Sequence, residues 1–375
     1  MPDDTPEPQF VPVGSQRRIS TYRIARPHAG IVSVGKGRFE ATEYADRRTG
    51  FRGRILGFKD ALIGTAVSNI RLAEQRLSKR IALAVFSSDA LSSTAYASQE
   101  IVLILVLAGT GALTHSLPLA MAIVVLLSLV VASYRQTIRA YPRGGGGYIV
   151  AHENLGRVPG LAAAAALMID YVLTTAVSLS ACVEAIVAAV PEVHAYSVPL
   201  AVGLVLLIAL GNLRGIRESG SLFAIPTYGF IIVLGATIVI GIVTVLFSDS
   251  PNVLSVGEPS KEVAPQQALT LFLILRAFSA GCTALTGVEA ISNGVAAFKR
   301  PEARNAATTL TAMALVLGAL FLGTTLLARH FGIVYEHGDR DTLMSQIGEE
   351  VYGRNVFYYV LQAFTAGILF LAANT

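Results

Sequence analysis

Hydrophobic and polar positions alternate along this chain on the scale of whole membrane spans. Apolar residues dominate eight separate runs, each close to the roughly 20 residues that cross a hydrocarbon core of about 30 Å. The runs cover residues 81–109, 116–138, 159–190, 197–213, 221–248, 268–297, 306–329 and 355–375. The pattern predicts an all-α, polytopic membrane protein whose transmembrane domain covers residues 81–375. Because the last run is still apolar at its end, we expect the sequence to be the front part of a longer protein, cut in the eighth span.

Composition supports this class and argues against several others. Hydrophobic residues make up 53% of the 375 residues and charged residues 14%, whereas soluble domains contain about 25% charged residues. The net charge of +4 does not indicate nucleic acid, since fifteen of the 29 Lys and Arg residues precede Ile81. The six histidines and two cysteines form no catalytic or metal-binding pattern, so the sequence predicts neither an enzyme nor a cofactor.

Basic residues predict the orientation of the chain in the membrane. The first part of the chain and the connections after the second, fourth and sixth runs hold 24 Lys and Arg residues, and the opposite connections hold four. Since basic loops stay in the cytoplasm, the amino terminus is predicted to be cytoplasmic. Residues 1–54 are predicted to form a disordered basic tail, and residues 55–80 an amphipathic helix at the inner leaflet.

Two of the apolar runs contain polar interruptions. The first run reads Ser-Ser-Asp-Ala-Leu-Ser-Ser-Thr over 87–94, and the sixth has two glycines and three hydroxyl residues over 279–289. Such residues compete with helical hydrogen bonding, and irregular backbone at membrane depth survives only beside a cavity or inside protein. The breaks lie five spans apart, which predicts an inverted repeat with a substrate site between broken helices. The alternative to an inverted repeat is that the two interruptions are unrelated helix kinks, each packed against small residues of neighbouring helices.

Five carboxylates fall inside the apolar runs, where a charge costs about 2.5–3.5 kcal/mol or more on insertion, so each is a functional candidate. They are Asp89, Glu100, Asp170, Glu184 and Glu289. Glu184 lies near the outer end of its run, where water would remove this cost. Asp170, Thr174 and Ser178 are spaced four residues apart, which places three oxygen-bearing side chains on one helical stripe.

The available ligand atoms indicate the class of substrate. Carboxylate, hydroxyl and carbonyl oxygens suit a hard cation, and the lack of clustered Cys or His argues against zinc or copper. An amino-acid carrier would need bare amides facing a substrate carboxylate at the first break, and Asp89 would repel that carboxylate. The glycine-rich segment at 141–148 lacks the ending of a phosphate-binding loop and is predicted to be a flexible intracellular loop or gate.

The chain resembles the amino acid–polyamine–organocation superfamily and, within it, the KUP/KimA-like potassium transporters. The resemblance is carried by seven stretches, which read SSDALSSTAY from 87, YRQ from 134 with AYPRGGGGY from 140, ENLG from 153, DYVLTTAVS from 170, GCTALTGVEAISN from 281, RNAA from 304 and GRNVFYY from 353. It extends from about residue 77 to residue 375.

The resemblance implies a proton-coupled potassium importer with a LeuT-like inverted-repeat fold of twelve spans, a following cytoplasmic domain and a homodimeric state. Some members are inhibited by cyclic di-AMP. The residues that match potassium-site or gate positions are Asp89, Tyr96, Asp170, Thr174, Ser178 and Thr286. Glu289 matches a proton-coupling carboxylate. The order Gln99-Glu100 reverses the order expected there.

Two other functions remain open from the sequence. An amino-acid or polyamine permease would share the fold, and a transport-inactive membrane sensor or scaffold would use the basic tail as its working part. In each case the expected location is the cell membrane, with lipids as neighbours.

Overall fold

The computed structural model describes residues 76–213, 220–247, 254 and 256–374, together with four short strands before them. By internal contacts the chain divides into two compact units. One comprises Met1–Ala66 with Leu213–Gly215, and the other comprises Val67–Asn212 with Ile216–Thr375.

The first unit contains two antiparallel hairpins. Strand β1 (Gln9–Pro12) pairs with β2 (Tyr22–Ala25), and β3 (Ile31–Gly35) pairs with β4 (Arg38–Ala41). The other residues of the predicted tail lie outside the described part of the chain, so its disorder stays a prediction.

The second unit is built from helices, and most of the predicted spans correspond to one long helix each. In chain order the helices are α1 (Lys79–Phe86), α2 (Ser88–Ser92), α3 (Ala97–Leu105), α4 (Ser116–Ala140), α5 (Gly146–Leu155), α6 (Arg157–Ala189), α7 (Ser197–Leu213), α8 (Gly220–Leu246), α9 (Leu271–Gly281), α10 (Ala290–Asn293), α11 (Glu302–His330), α12 (Leu343–Tyr352) and α13 (Val356–Ala372). Short 3₁₀ turns cover Ser93–Ala95, Val106–Ala108, Thr110–His115, Pro191–Tyr196, Cys282–Leu285 and Val295–Ala297.

Among the described residues, six helical segments are long and apolar enough to cross a membrane. They are Ser88–Ala108, Thr110–Ala140, Arg157–Ala189, Pro191–Asn212, Phe223–Leu246 and Glu302–His330. Leu271–Leu285 and Val356–Ala372 are shorter apolar helices, so each of the eight predicted runs contains an apolar helix. The chain is a multi-pass membrane protein.

Polar caps define where several helices begin. The Ser78 hydroxyl accepts a bond from the Ile81 amide at the start of α1 (3.5 Å), and the Thr270 hydroxyl accepts one from the Leu273 amide at the start of α9 (3.2 Å). Such caps satisfy amide groups that the first turn leaves without a helical partner. Both capped helices are the leading halves of interrupted spans.

The predicted amphipathic segment 55–80 lies mostly outside the described residues and stays a prediction there. Its last part is described and begins with an extended stretch: Leu77 forms a parallel bridge with Phe298, with backbone bonds of 2.8 Å to the Ala297 carbonyl and 3.0 Å from the Lys299 amide. The Arg76 side chain pairs with Glu302. These contacts join the segment before the first span to the end of the sixth run and the start of the seventh.

Packing inside the second unit brings the interrupted helices against long ones. Helix α4 packs on α11, α6 packs on α13, and α3 packs on α9. The fully buried side chains at these contacts include Ile101, Ile123 and Phe321. The two interrupted spans are therefore held side by side in the protein interior.

Candidate functional site

The first interruption is produced by local hydrogen bonds of hydroxyl side chains. Helix α1 ends at Phe86, and the five-residue helix α2 follows before a 3₁₀ turn. The Ser92 hydroxyl donates to the Asp89 carbonyl (2.7 Å), and the Thr94 hydroxyl donates to the Leu91 carbonyl (2.7 Å). Because these hydroxyls compete with backbone amides for the carbonyl oxygens, the regular helical hydrogen-bond pattern is interrupted here, as the sequence predicts.

The second interruption has the same cause with a glycine added. Helix α9 passes into the 3₁₀ turn Cys282–Leu285, and Thr286–Glu289 follow as turns before α10. The Thr283 hydroxyl donates to the Ala280 carbonyl at 2.9 Å. Gly287 has φ +75°, a conformation that favours glycine because it lacks a Cβ.

Gly287 brings the two interruptions into contact. A Cβ placed on it would lie 2.6 Å from the Asp89 Cγ and 2.7 Å from the Ala90 backbone nitrogen. The Ser93 hydroxyl also lies 3.3 Å from the Ala284 carbonyl across the same contact. The breaks therefore form one junction, and Asp89, which is 1% exposed, lies inside it.

Tyr96 and Thr286 meet at the junction. The Tyr96 hydroxyl is within hydrogen-bonding reach of the Thr286 side chain, and the ring is 7% exposed. The Thr286 hydroxyl also donates to the Thr283 carbonyl at 2.9 Å. Asp89 and Asp170 both lie close enough to the Tyr96 hydroxyl to interact with it electrostatically. Tyr96, Thr286 and Asp89 thus lie at the junction, with Asp170 within electrostatic reach of it.

The polar stripe predicted on the third span faces the protein interior. Asp170 is half-buried, Thr174 is 7% exposed and Ser178 is fully buried, whereas Val172 and Leu173 on the other faces of the helix are exposed. The Ser178 hydroxyl oxygen has no hydrogen-bond partner within the described structure. The stripe can therefore offer oxygen atoms to a ligand in the interior.

Glu289 is the last residue of the second interruption and lies within electrostatic reach of Asp170. The two carboxylates are close enough to interact electrostatically, and the Glu289 Oε1 is buried with no hydrogen-bond partner in the described structure. Leaving a buried acceptor without a partner costs about 1–3 kcal/mol. A proton, a cation or a water molecule would offset that cost at this oxygen.

Three further polar residues near the site were not predicted from the sequence. Tyr134 on α4 and Tyr171 on α6 both lie within electrostatic reach of Glu289 and Asp170. The Asn293 side-chain amide donates to the Tyr171 hydroxyl at 2.9 Å. All three occur in the motifs that carry the family resemblance, but their residue types alone did not distinguish them from ordinary interior packing.

Of the remaining charged candidates, Glu100 is half-buried and within electrostatic reach of Tyr96, whereas two others are exposed. Glu184 is exposed and lies within electrostatic reach of Glu100 and His337, and its position at the outer end of the span stays a prediction. Arg276, a basic residue within the sixth apolar run, is exposed on α9. A cavity of about 180 Å³ is lined by Val102, Arg329 and neighbouring residues and includes none of the predicted site residues.

The donor atoms of the junction define what it can bind. Among the described residues, no group of three or more His, Cys, Asp or Glu side chains is arranged to hold a metal ion. The junction instead combines separate carboxylates with hydroxyl and backbone oxygens, which are the ligands of hard cations. This arrangement suits a weakly held, exchangeable ion.

Comparisons with known proteins agree with this description. Residues 80–375 match the family model described as "Amino acid permease". The chain is 48% identical over 320 residues to "Potassium transporter KimA" of Bacillus subtilis (strain 168), which covers 84% of this chain and 51% of the relative. The chain thus spans about half the length of this curated relative.

Proposed function

Because the chain belongs to the amino acid permease family, we propose that it is part of a secondary transporter that imports potassium ions together with protons. The observation that carries the proposal is the junction of two interrupted helices at Gly287, with the buried Asp89 inside it. The similarity to a protein named a potassium transporter supports the choice of ion.

The junction supplies oxygen atoms in place of the hydration shell of the ion. We infer that the ion binds between Asp89 on the first span and Asp170 on the third, with Tyr96 and Thr286 closing one side. Thr174 and Ser178 extend the oxygen-bearing stripe along the third span. Their hydroxyls carry no charge and add ligands without further repulsion between the carboxylates.

Glu289 is the proposed proton carrier. Its neighbour Asp170 is also a carboxylate, and two adjacent negative charges inside protein disfavour each other. A cation near Asp170 would relieve this repulsion, and a proton on Glu289 would do the same. The two sites are therefore linked energetically, and import of both ions requires that the protein change conformation only when both are bound.

Two positive charges moving inward would use the membrane potential. Each elementary charge gains about 2.3 kcal/mol per 100 mV, so a potassium ion and a proton together gain about twice that amount. This drive is sufficient for concentrative uptake. The proposal requires the cytoplasmic amino terminus predicted from the basic loops.

Rubidium or potassium uptake by cells expressing the complete gene product tests the proposal. We expect Asp89→Asn and Asp170→Asn to abolish high-affinity uptake, because the ion loses its charged ligands. Glu192→Gln is the matched control, since it makes the same chemical change at an exposed carboxylate. Full high-affinity uptake in both site variants would reject the potassium site.

An amino-acid or polyamine permease is the second candidate, and the description of the matching family favours it. The buried Asp89 at the junction argues against a substrate carboxylate at that point. Proteoliposomes containing the complete protein distinguish the two functions. Potassium-driven proton movement supports the first, whereas proton movement driven by an amino acid or a polyamine supports the second.

A transport-inactive sensor or scaffold would show no ion flux in the same proteoliposomes. We propose no enzymatic activity, no resident cofactor and no nucleic-acid partner for the chain. The LeuT-like inverted repeat, the homodimeric state and control by a cyclic dinucleotide are proposals that follow from the family resemblance and belong to the whole protein.

A further inference from the structure

The glycine-rich segment predicted to be an intracellular loop or gate has an unusual backbone. Gly144, Gly145 and Gly146 have φ values of +81°, +98° and +47°, and α5 begins at the third of them. Gly144 and Gly146 are buried. Three consecutive positive φ angles favour glycine, because the Cβ of any other residue comes too close to the backbone in this region. The loop therefore has one specific shape.

That shape fits closely against Asn293 at the end of α10. The Gly145 amide donates to the Asn293 carbonyl at 3.3 Å. A Cβ on Gly144 would lie 2.6 Å from the same carbonyl oxygen, and a Cβ on Gly146 would collide with the Asn293 Oδ1. The absence of side chains at both glycines thus makes room for Asn293.

Asn293 also reaches the site through Tyr171. Its side-chain amide donates to the Tyr171 hydroxyl at 2.9 Å, and Tyr171 lies next to Asp170 and within electrostatic reach of Glu289. Asn293 is one turn after Glu289 on the same segment. A single residue therefore contacts the glycine loop, the third span beside Asp170, and the segment that carries Glu289.

We propose that Gly144–Gly146 forms the cytoplasmic closure of the ion site, and that Asn293 is the positioning residue that joins this closure to Tyr171. This inference rests on the proposed transport function and orientation. When the loop closes on Asn293, the Asn293 side chain is held in place, and its hydrogen bond in turn holds the Tyr171 hydroxyl. When the loop separates, Tyr171 loses its support and the route from the ion site to the cytoplasm opens.

The contact is suited to repeated opening because it is specific in shape but weak. The backbone bond at 3.3 Å is long, and the Asn293 Oδ1 is buried without a hydrogen-bond partner in the described structure. An unsatisfied buried acceptor disfavours the closed form, because it has lost its hydrogen bond to water. Water reaching this oxygen on opening would offset part of the cost of separating the loop.

Variants of the complete protein test the proposal by initial rates of rubidium uptake per amount of membrane-inserted protein. Asn293→Ala removes the side-chain amide, and Gly146→Ala places a methyl group where that side chain lies. Two control variants change glycines that follow in the chain. At Gly147→Ala the added Cβ meets nothing within 4 Å, and at Gly156→Ala φ is +97° and the added Cβ again meets nothing. The second control reproduces backbone strain without the collision.

We expect Asn293→Ala and Gly146→Ala each to lower the maximal rate at least tenfold while the KM for rubidium changes less than threefold. The reason is that the contact affects opening and closing and does not supply a ligand to the ion. Both controls should transport at more than half the normal rate per molecule. A rise in KM without loss of maximal rate, or a normal rate in Asn293→Ala, would overturn the proposal.

The double variant Gly146→Ala/Asn293→Ala gives the decisive comparison. Without the side-chain amide, the nearest remaining atom to the new Cβ is the Asn293 backbone nitrogen at 3.7 Å, so the collision disappears. We expect the double variant to transport within threefold of Asn293→Ala, because residues in contact show non-additive effects. Losses that multiply to about a hundredfold would show that the glycine acts independently of Asn293, and would overturn the proposal.

The same experiment separates this inference from the proposed function. If the unmodified protein takes up no rubidium or potassium, the transport function itself fails. If it transports and Gly146→Ala behaves like Gly147→Ala, the transport function stands and the closure is rejected.

Discussion

The contact between Gly287 and Asp89 leads to a quantitative prediction for Gly287→Ala. Two separate costs arise from one added methyl group. The residue has φ +75°, where alanine is less favourable than glycine by about 1–2 kcal/mol. The new Cβ would also lie 2.6 Å from the Asp89 Cγ, whereas carbon atoms in contact prefer about 3.5–4.0 Å.

The collision requires the two interruptions to separate by about 1 Å, from the difference between the preferred and the available distance. The atoms that would have to move are the Asp89 carboxylate and the Ala90 backbone nitrogen, which is 2.7 Å from the position of the added methyl group. A displacement of about 1 Å at a reacting centre can cost about 100-fold in rate. We therefore expect rubidium uptake by Gly287→Ala to fall by about two orders of magnitude.

Gly353→Ala is the control for this experiment. Gly353 has φ +68°, close to that of Gly287, and a Cβ there would meet nothing within 4 Å. It carries the backbone strain without the collision, so its uptake per molecule should stay near normal. Initial uptake rates, corrected for the amount of protein in the membrane, are the measurement. If the two variants transport equally well, the junction is not the ion site.

Three further predictions concern stability and can be measured as melting temperatures of the purified complete protein. Tyr358 is fully buried, and its hydroxyl donates to the Ala188 carbonyl at 3.0 Å. Tyr358→Phe should therefore lower the free energy of unfolding by about 1–3 kcal/mol. The control Tyr359→Phe, at a residue that is 48% exposed, should have little effect. Burial raises the pKa of Tyr335, in a loop outside the spans, to about 12. Its contribution to stability is therefore complete below pH 10 and is lost as pH rises toward 12, so Tyr335→Phe should flatten the decline over that window; an unchanged slope would contradict this. The Arg76–Glu302 pair is partly exposed on both sides, so Glu302→Gln should lower the melting temperature only slightly, and less at high salt; a large, salt-independent fall would show that the carboxylate has another role.

Much of the helical architecture could be predicted because it depends on local sequence. The predicted runs agree with the observed helices because twenty apolar residues in succession have few alternatives to a membrane helix. The interruption near Asp89 was predictable for a similar reason, since hydroxyl side chains bond to carbonyls only three residues away, as Ser92 does to Asp89. The sequence was less informative about length: the segments at 271–285 and 356–372 are helical but shorter than the apolar runs that contain them.

The candidate site was predicted in its list of residues but not in its contacts. Spacing alone placed Asp170, Thr174 and Ser178 on one stripe, and burial now shows that this stripe faces inward. Nothing in the spacing indicated that Tyr96 would reach Thr286, because these residues lie on different spans. Their roles in ion binding stay predictions until the uptake experiments are done.

By itself the sequence determined which segments are helical, where they are interrupted and which polar groups fall inside apolar runs, because each of these depends on residues a few positions apart. Only the tertiary structure decided that Gly287 accommodates Asp89 and that the glycine loop accommodates Asn293. In both cases the glycine is needed because an atom of a residue distant in the sequence packs where a Cβ would lie. Such an approach is set by the packing of whole helices, which the local pattern does not specify.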